Sequence, residues 1–219
     1  MARRVVGKGP VLGVMALCLL FGAMAIGGCA GEGEDAGTLQ VGDAVSLGAF
    51  EQDGNFGNGP EAIAWEVLEV DADSRKVLLI SEKSLYTAVF NSSVEKGNDW
   101  ETSELRAWLV GDFATEAFSP EERDDLMGDP FLLSVDEARE FFSTDELRVC
   151  EPTAYARSLD AYVAGGPGCA WWLRTPGEQW YTVARVLPDG SIWTYGDEVI
   201  GNCGGVRPAV WVALSSLRG

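Results

Sequence analysis

Apolar positions fall into short runs separated by polar, glycine-containing turns, and their period differs between the ends and the middle of the chain. Gly42 to Phe50 alternates loosely and stops at Glu51-Gln52-Asp53-Gly54-Asn55, which reads as a strand followed by a turn. Ile63 to Val70 and Lys76 to Ser81 are apolar runs joined by Asp71-Ala72-Asp73-Ser74-Arg75, so they form a hairpin. The spacing then becomes helical. Thr102 is an N-cap residue ahead of Ser103 to Leu109, and Ser119-Pro120-Glu121-Glu122 combines a cap, a first-turn proline and a reciprocal glutamate. Phe131-Leu132-Leu133 reads as a short buried strand running into a second capping box, Ser134 with Glu137, which opens a helix to about Phe142. A further short helix follows Pro152.

Strand signals return with Trp171 to Thr175, Tyr181 to Leu187, Ser191 to Tyr195 and Val206 to Leu214, with Pro188-Asp189-Gly190 as a tight turn. Strands, then several short helices in the middle, then strands again predict an α+β fold with mostly antiparallel sheet.

The first 28 residues do not fit this pattern. Arg3, Arg4 and Lys8 precede an apolar run from Val11 to Ile26, which ends in Ile26-Gly27-Gly28-Cys29. That ending resembles the lipobox of bacterial lipoproteins, in which a cysteine receives lipid and becomes the new N-terminus. The resemblance implies a signal peptide over 1–28, lipidation at Cys29 and a protein anchored outside the cytoplasmic membrane. Residues 29–38 are small and acidic and read as a flexible tether, leaving 39–215 as a single α+β domain.

Composition narrows the chemistry. A net charge of minus 18 repels phosphate backbones, so nucleic acid is not an expected partner. With no histidine in the chain, histidine-based triads, dyads and zinc sites are excluded, and no cofactor motif is present. Asp71, Asp73 and Glu82 match three positions of a calcium loop. Lys76 stands where that loop needs glycine, however, so no metal site is expected. Of five cysteines, Cys18 leaves with the signal and Cys29 takes lipid, which leaves Cys150, Cys169 and Cys203. A Cys169–Cys203 disulfide is the favoured pairing, Cys150 with Cys169 is its rival, and three free thiols stay open.

Alternation along Trp171 to Thr175 puts Trp171, Leu173 and Thr175 on one face and Trp172 and Arg174 on the other. The last strand likewise sets Val206, Val210, Val212 and Leu214 against Arg207, Ala209 and Trp211. Two readings of the aromatic-plus-arginine face compete. In one, Arg174 and Arg207 are held by acids such as Asp129 or Glu137 beneath packed tryptophans. In the other, Trp172, Trp180, Trp193 and Tyr195 surround a groove that stacks on a glycan or peptide while Arg174 fixes a polar group.

Five stretches in order carry a wider resemblance: Ile63 to Leu68, Leu105 to Leu109, Asp129 to Ser134, Trp171 to Arg174 and Val206 to Val210. Together they resemble an uncharacterised domain of bacterial surface proteins and lipoproteins over residues 40–214. More remotely, the late strands resemble C-type-lectin-like and formylglycine-generating-enzyme-type domains. The reactive cysteine pair of the oxidases and the calcium-site Glu-Pro-Asn of the lectins have no true counterpart, so neither activity is implied. The resulting expectation is a tethered domain that binds a glycan or protein ligand without catalysis. A carboxylate- or cysteine-dependent enzyme acting on glycans and a purely structural envelope component are the alternatives.

Overall fold

In a computed structural model of the chain, residues 38–202 and 204–217 are described. The expected signal, the Cys29 lipidation site and nearly all of the tether lie outside those residues, as does Cys203. Two sheets and several short helices make up the domain, an α+β arrangement in which antiparallel pairing dominates. The first sheet contains β1 (Ala44–Phe50), β2 (Glu61–Asp71), β3 (Lys76–Ser81) and β9 (Ala209–Ala213), in the order β1-β2-β3-β9. The second contains β4 (Tyr86–Thr87), β5 (Trp171–Pro176), β6 (Thr182–Val186), β7 (Ile192–Glu198) and β8 (Gly205–Val206), in the order β4-β8-β5-β6-β7. Its one parallel contact joins β5 to β8 through Trp171 and Gly205.

Strands β3 and β6 are buried on both faces, and period-2 alternation sorts the side chains into two cores. Ile63, Trp65, Val77, Leu79, Trp172, Val183, Val210 and Val212 enter the larger core. Leu78, Ile80, Trp171, Leu173, Ala184, Val186 and Ala209 enter the second. The helical middle of the chain seals them. Helix α1 (Glu104–Trp108) continues through a π turn (Leu109–Phe113) into α2 (Ala114–Ala117), sending Leu105, Leu109 and Phe113 into the larger core. Helix α4 (Val135–Phe141) lays Val135 and Ala138 on the second.

Local rules explain most of the helix starts. Both capping boxes form: Ser119 opens α3 (Pro120–Asp125) with Glu122, and Ser134 opens α4 with Glu137. The cap of α1, however, is Ser103, which accepts the Arg106 N–H at 3.1 Å. Thr102 is used up in a preceding 3-10 turn capped by Asp99. Short helices α5 (Asp145–Arg148) and α6 (Ala154–Ser158) follow, the latter capped by Thr153. Leu132 and Leu133 are buried, but Phe131-Leu132-Leu133 makes no strand. A single bridge, Phe131 to Ala209, is all that forms before Ser134 turns the chain into α4.

The last expected strand is two strands. Val206 ends β8 in the second sheet, Arg207-Pro208 crosses, and Ala209 begins β9 in the first. Proline cannot donate to a ladder, which favours a break there, and its carbonyl accepts from the Ser81 N–H at 2.9 Å. The alternation survives the crossing, since Val206, Val210 and Val212 all reach the larger core while Ala209 joins the second.

Candidate functional site

Three aromatic and cationic positions line up across the second sheet. The Pro188-Asp189-Gly190 turn sets the β6–β7 register, with Leu187 N–H donating to Ser191 at 2.8 Å, and thereby places Arg185 opposite Trp193. On its other side Arg185 is opposite Trp172. The row Trp172, Arg185, Trp193 therefore runs from the centre of the sheet to its edge strand, β7, and burial falls along it. Trp172 is fully buried, Arg185 is 7% exposed and Trp193 is 37% exposed.

Arg185 is held in place by several groups. Asp197, beyond a kink at Gly196, meets its Nη1 at 2.6 Å. Gly196 has φ 84°, and an added Cβ there would come within 2.8 Å of the Val183 backbone, so the kink requires glycine. The rings of Trp193 and Tyr162 lie 5.2 and 5.7 Å from the guanidinium carbon, within cation–π range. Tyr162 sits on a Gly/Pro-rich loop that docks against the hairpin at Gly168, where a Cβ would be 2.3 Å from the Pro188 carbonyl oxygen.

Loop and hairpin enclose an open cavity of about 710 Å³, a size typical of small-ligand sites. Val149, Pro167, Leu187 and Pro188 give it apolar walls, with Arg185, Tyr162, Trp193 and Asp189 as the groups that can orient a ligand. Ser191 donates to Asp189 from its hydroxyl at 2.7 Å and from its N–H at 3.0 Å, and these bonds hold the carboxyl below its ordinary range. Asp189 is therefore an ionised acceptor at neutral pH. It cannot serve as a general acid there.

The other expected site residues separate. Trp172 is a correction: its indole N–H donates to Ala88 at 2.9 Å, its ring meets Phe90 edge-on at 6.1 Å, and Gly204 packs against it, so it has no face to offer a ligand. Trp180 is 60% exposed on the β5–β6 connection and does not line the cavity. Tyr195 stacks on Trp193 at 6.4 Å, outside the cavity walls.

Arg174 likewise belongs to an ion pair rather than to a groove. Its Nη1 and Nη2 lie 2.6 Å from the two carboxylate oxygens of Glu137, and its guanidinium lies 5.2 Å from the Phe131 ring. Burial would raise the Glu137 carboxyl. Bonds from Arg174 and the Ser134 N–H outweigh that and keep it below its ordinary value. Asp129 takes no part, pairing instead with Arg106 at 3.3 Å. Arg207 is 3% exposed between the rings of Phe142 and Trp171, bonded to the Ser81 carbonyl at 2.9 Å and 3.8 Å from Glu66.

The favoured Cys169–Cys203 pairing falls on Cys203, outside the described residues; Cys169 itself is described. It is a free, buried cysteine whose thiol meets that of Cys150, with the Cys169 N–H donating to the Cys150 carbonyl at 2.8 Å. Burial works against ionising either thiol, and the Cys169 hydrogen bond and the charge of Arg207 favour the anion at Cys150. Cys169 is pushed up by Cys150 and by its own burial.

One group among the described residues, Glu51, Asp53 and Glu61, brings carboxylate oxygens within 4.8 Å of one another. Each is committed to its own loop: Glu51 accepts from the Gly54 N–H, Asp53 from Asn55 and Asn58, and Glu61 from the Gln52 N–H.

Residues 127–214 match a domain of unknown function, DUF6273. This domain contains β5 to β9 and α4 to α6, and with them every residue named in the Arg185 cavity. It also contains three of the five stretches that carried the resemblance, from Asp129 onward; Ile63 to Leu68 and Leu105 to Leu109 precede it. No curated protein and no solved structure matches the chain.

Arg185 and Tyr162 are the site residues that sequence reasoning missed. For Arg185 the signal existed, because counting back from the Pro-Asp-Gly turn pairs it with Trp193. Nothing marked Tyr162, which reaches the site only because glycines let its loop fold onto the hairpin.

Proposed function

We propose that this chain is a lipid-anchored, extracytoplasmic binding protein whose ligand is an extended peptide held without reaction. The observation that carries the reading is the open cavity beside β7, with Trp193 and Tyr162 around a nearly buried Arg185. Its walls of Pro167, Pro188, Leu187 and Val149 suit an apolar or aromatic side chain and offer little to sugar hydroxyls. As the edge of its sheet, β7 has free backbone groups to which a peptide can add as a further strand. A glycan is the second reading, favoured by one observation: the near-parallel rings of Trp193 and Tyr195, 16° apart, form a solvent-facing stacking surface.

The purified protein is to be screened on peptide and glycan arrays beside Trp193→Ala and Tyr162→Ala. Peptide binding that both substitutions weaken by about tenfold, the scale of a lost aromatic contact, supports the peptide reading. Glycan binding sensitive to Trp193→Ala and Tyr195→Ala would replace it. Binding indifferent to all three would remove the site.

The anchor rests on the basic start, the apolar run and the Ile26-Gly27-Gly28-Cys29 ending. Among the described residues no helix is long and apolar enough to cross a membrane. Cys29→Ser is expected to release the protein from the membrane fraction, and unchanged fractionation would refute the lipid.

A further inference from the structure

On a different part of the molecule, the turn after β1 and the helices beside it enclose a second cavity, of about 450 Å³. Five aromatic side chains, Phe50, Phe56, Tyr86, Trp108 and Tyr155, line it. Tyr86 and Trp108 stack at 4.7 Å with 18° between their planes, and Phe50 meets Trp108 edge-on at 6.3 Å. Opposite them Phe56 stands at right angles over Tyr155 at 5.4 Å. Phe56 is 70% exposed at the tip of the 53–60 loop, an unfavourable position for a phenylalanine unless something covers it. The loop is nonetheless pinned, with Asp53 accepting from Asn55 and Asn58 and the Asn58 N–H donating to the Asn55 carbonyl.

The polar groups here all have one sign. Glu51 and Glu116 line the cavity, and no lysine, arginine or amide side chain does. Burial, neighbouring Tyr86 and the charges of Glu116 and Glu51 raise the Tyr155 phenol, so the negative field reaches the ring that Phe56 covers. An anion would meet like charge here, with no cationic side chain to offset it. A neutral sugar would find acceptors and two tyrosine hydroxyls only. An alkylammonium ion is matched by both features, since ring faces attract cations and the carboxylates supply the countercharge.

We infer that the cavity lined by Phe56, Tyr86, Trp108 and Tyr155 with Glu51 and Glu116 is a binding site for an organic ammonium group. The group is either a quaternary head such as choline or a lysine side chain, methylated or not. It is separate from the Arg185 cavity, with which it shares no lining residue, and it lies mostly outside residues 127–214, Tyr155 excepted.

The test is calorimetric titration of the full-length protein in detergent with tetramethylammonium, choline, a trimethyl-lysine peptide and its unmodified lysine counterpart. Their neutral isostere, 3,3-dimethylbutan-1-ol, and a neutral oligosaccharide serve as controls. The cations are expected to bind at least about tenfold more tightly than the isostere, to weaken with added salt, and to lose about tenfold in affinity in Phe56→Ala. Glu116→Gln, at an exposed position that leaves the fold intact, is expected to weaken the cations about threefold and not the isostere. The lysine and choline arms separate the two sources. Equal binding of isostere and cation, absence of cation binding, or tighter binding of the oligosaccharide would each overturn the assignment. Trp193→Ala is expected to leave cation binding unchanged, so failure here and failure of the peptide site are read independently.

Discussion

Strands β5 and β7 belong to the same sheet and each carries two aromatic residues, yet they use them in opposite ways. On β5, Trp171 and Trp172 point to opposite faces and both are fully buried, one in each core. On β7, Trp193 and Tyr195 point to the same face and remain 37% and 49% exposed. What packs against each strand accounts for the difference. Both faces of β5 are covered, one by each core, while on edge strand β7 the face that carries Trp193 and Tyr195 stays partly open. What covers an aromatic residue's face of the sheet, more than its type or its neighbours in sequence, decides whether it packs or presents.

The sharpest way to break this comparison is to truncate one residue from each strand. Trp172→Ala leaves a large void beneath Gly204 and an unpaired Ala88 carbonyl, and is expected to cost about 3–5 kcal/mol, seen as a large fall in Tm. Trp193→Ala removes a half-exposed ring and one contact with Arg185. Its expected cost is about 0.5–1 kcal/mol, with the loss of ligand appearing in binding instead. Comparable Tm losses for the two would show that edge and centre are not distinct.

Between these extremes lies the end of β5. Glu137→Gln is expected to destabilise by about 1–2 kcal/mol at neutral pH, because it breaks a two-point grip on Arg174 that also anchors the start of α4. The carboxyl is depressed in the folded state, so its contribution is present above the ordinary value of 4.5 and disappears as the pH falls through its lower folded value. Thermal melts of both proteins should therefore converge in acid. A difference that is constant with pH would mean that the pair contributes by packing alone. Tyr195→Ala is expected to have the smallest effect, within about 0.5 kcal/mol in stability, and to leave peptide binding unchanged.

Where a rule needs only neighbouring residues, the sequence was legible. Ser119 with Glu122, Ser134 with Glu137, the Asp71 to Arg75 hairpin and the Pro188-Asp189-Gly190 turn act within a few positions and appear where reading placed them. Trp171 and Leu173 could be assigned to one buried face by alternation. Partners distant in sequence could not be read this way. Burial of Trp172 depends on Phe90, Ala88 and Gly204; Asp129 is taken by Arg106; and the cut at Arg207-Pro208 depends on a sheet edge supplied by β3. The same limit hid Tyr162 and the aromatic cavity, which assembles Phe50, Tyr86, Trp108 and Tyr155 from four separate segments.

The crossing at Arg207-Pro208 also has a consequence for how the chain folds. Strand β9 pairs with β3, joining Leu79 to Val210, so the first sheet lacks its fourth strand until the chain has been made at least as far as Ala213. Closing so long a loop is entropically slow and leaves the edge of β3 open in the meantime. A strand that follows β8 in the chain thus completes the sheet that begins with β1, and that sheet cannot become native from β1 forward. A chain truncated before Ala209 should keep its helical caps but melt without cooperativity.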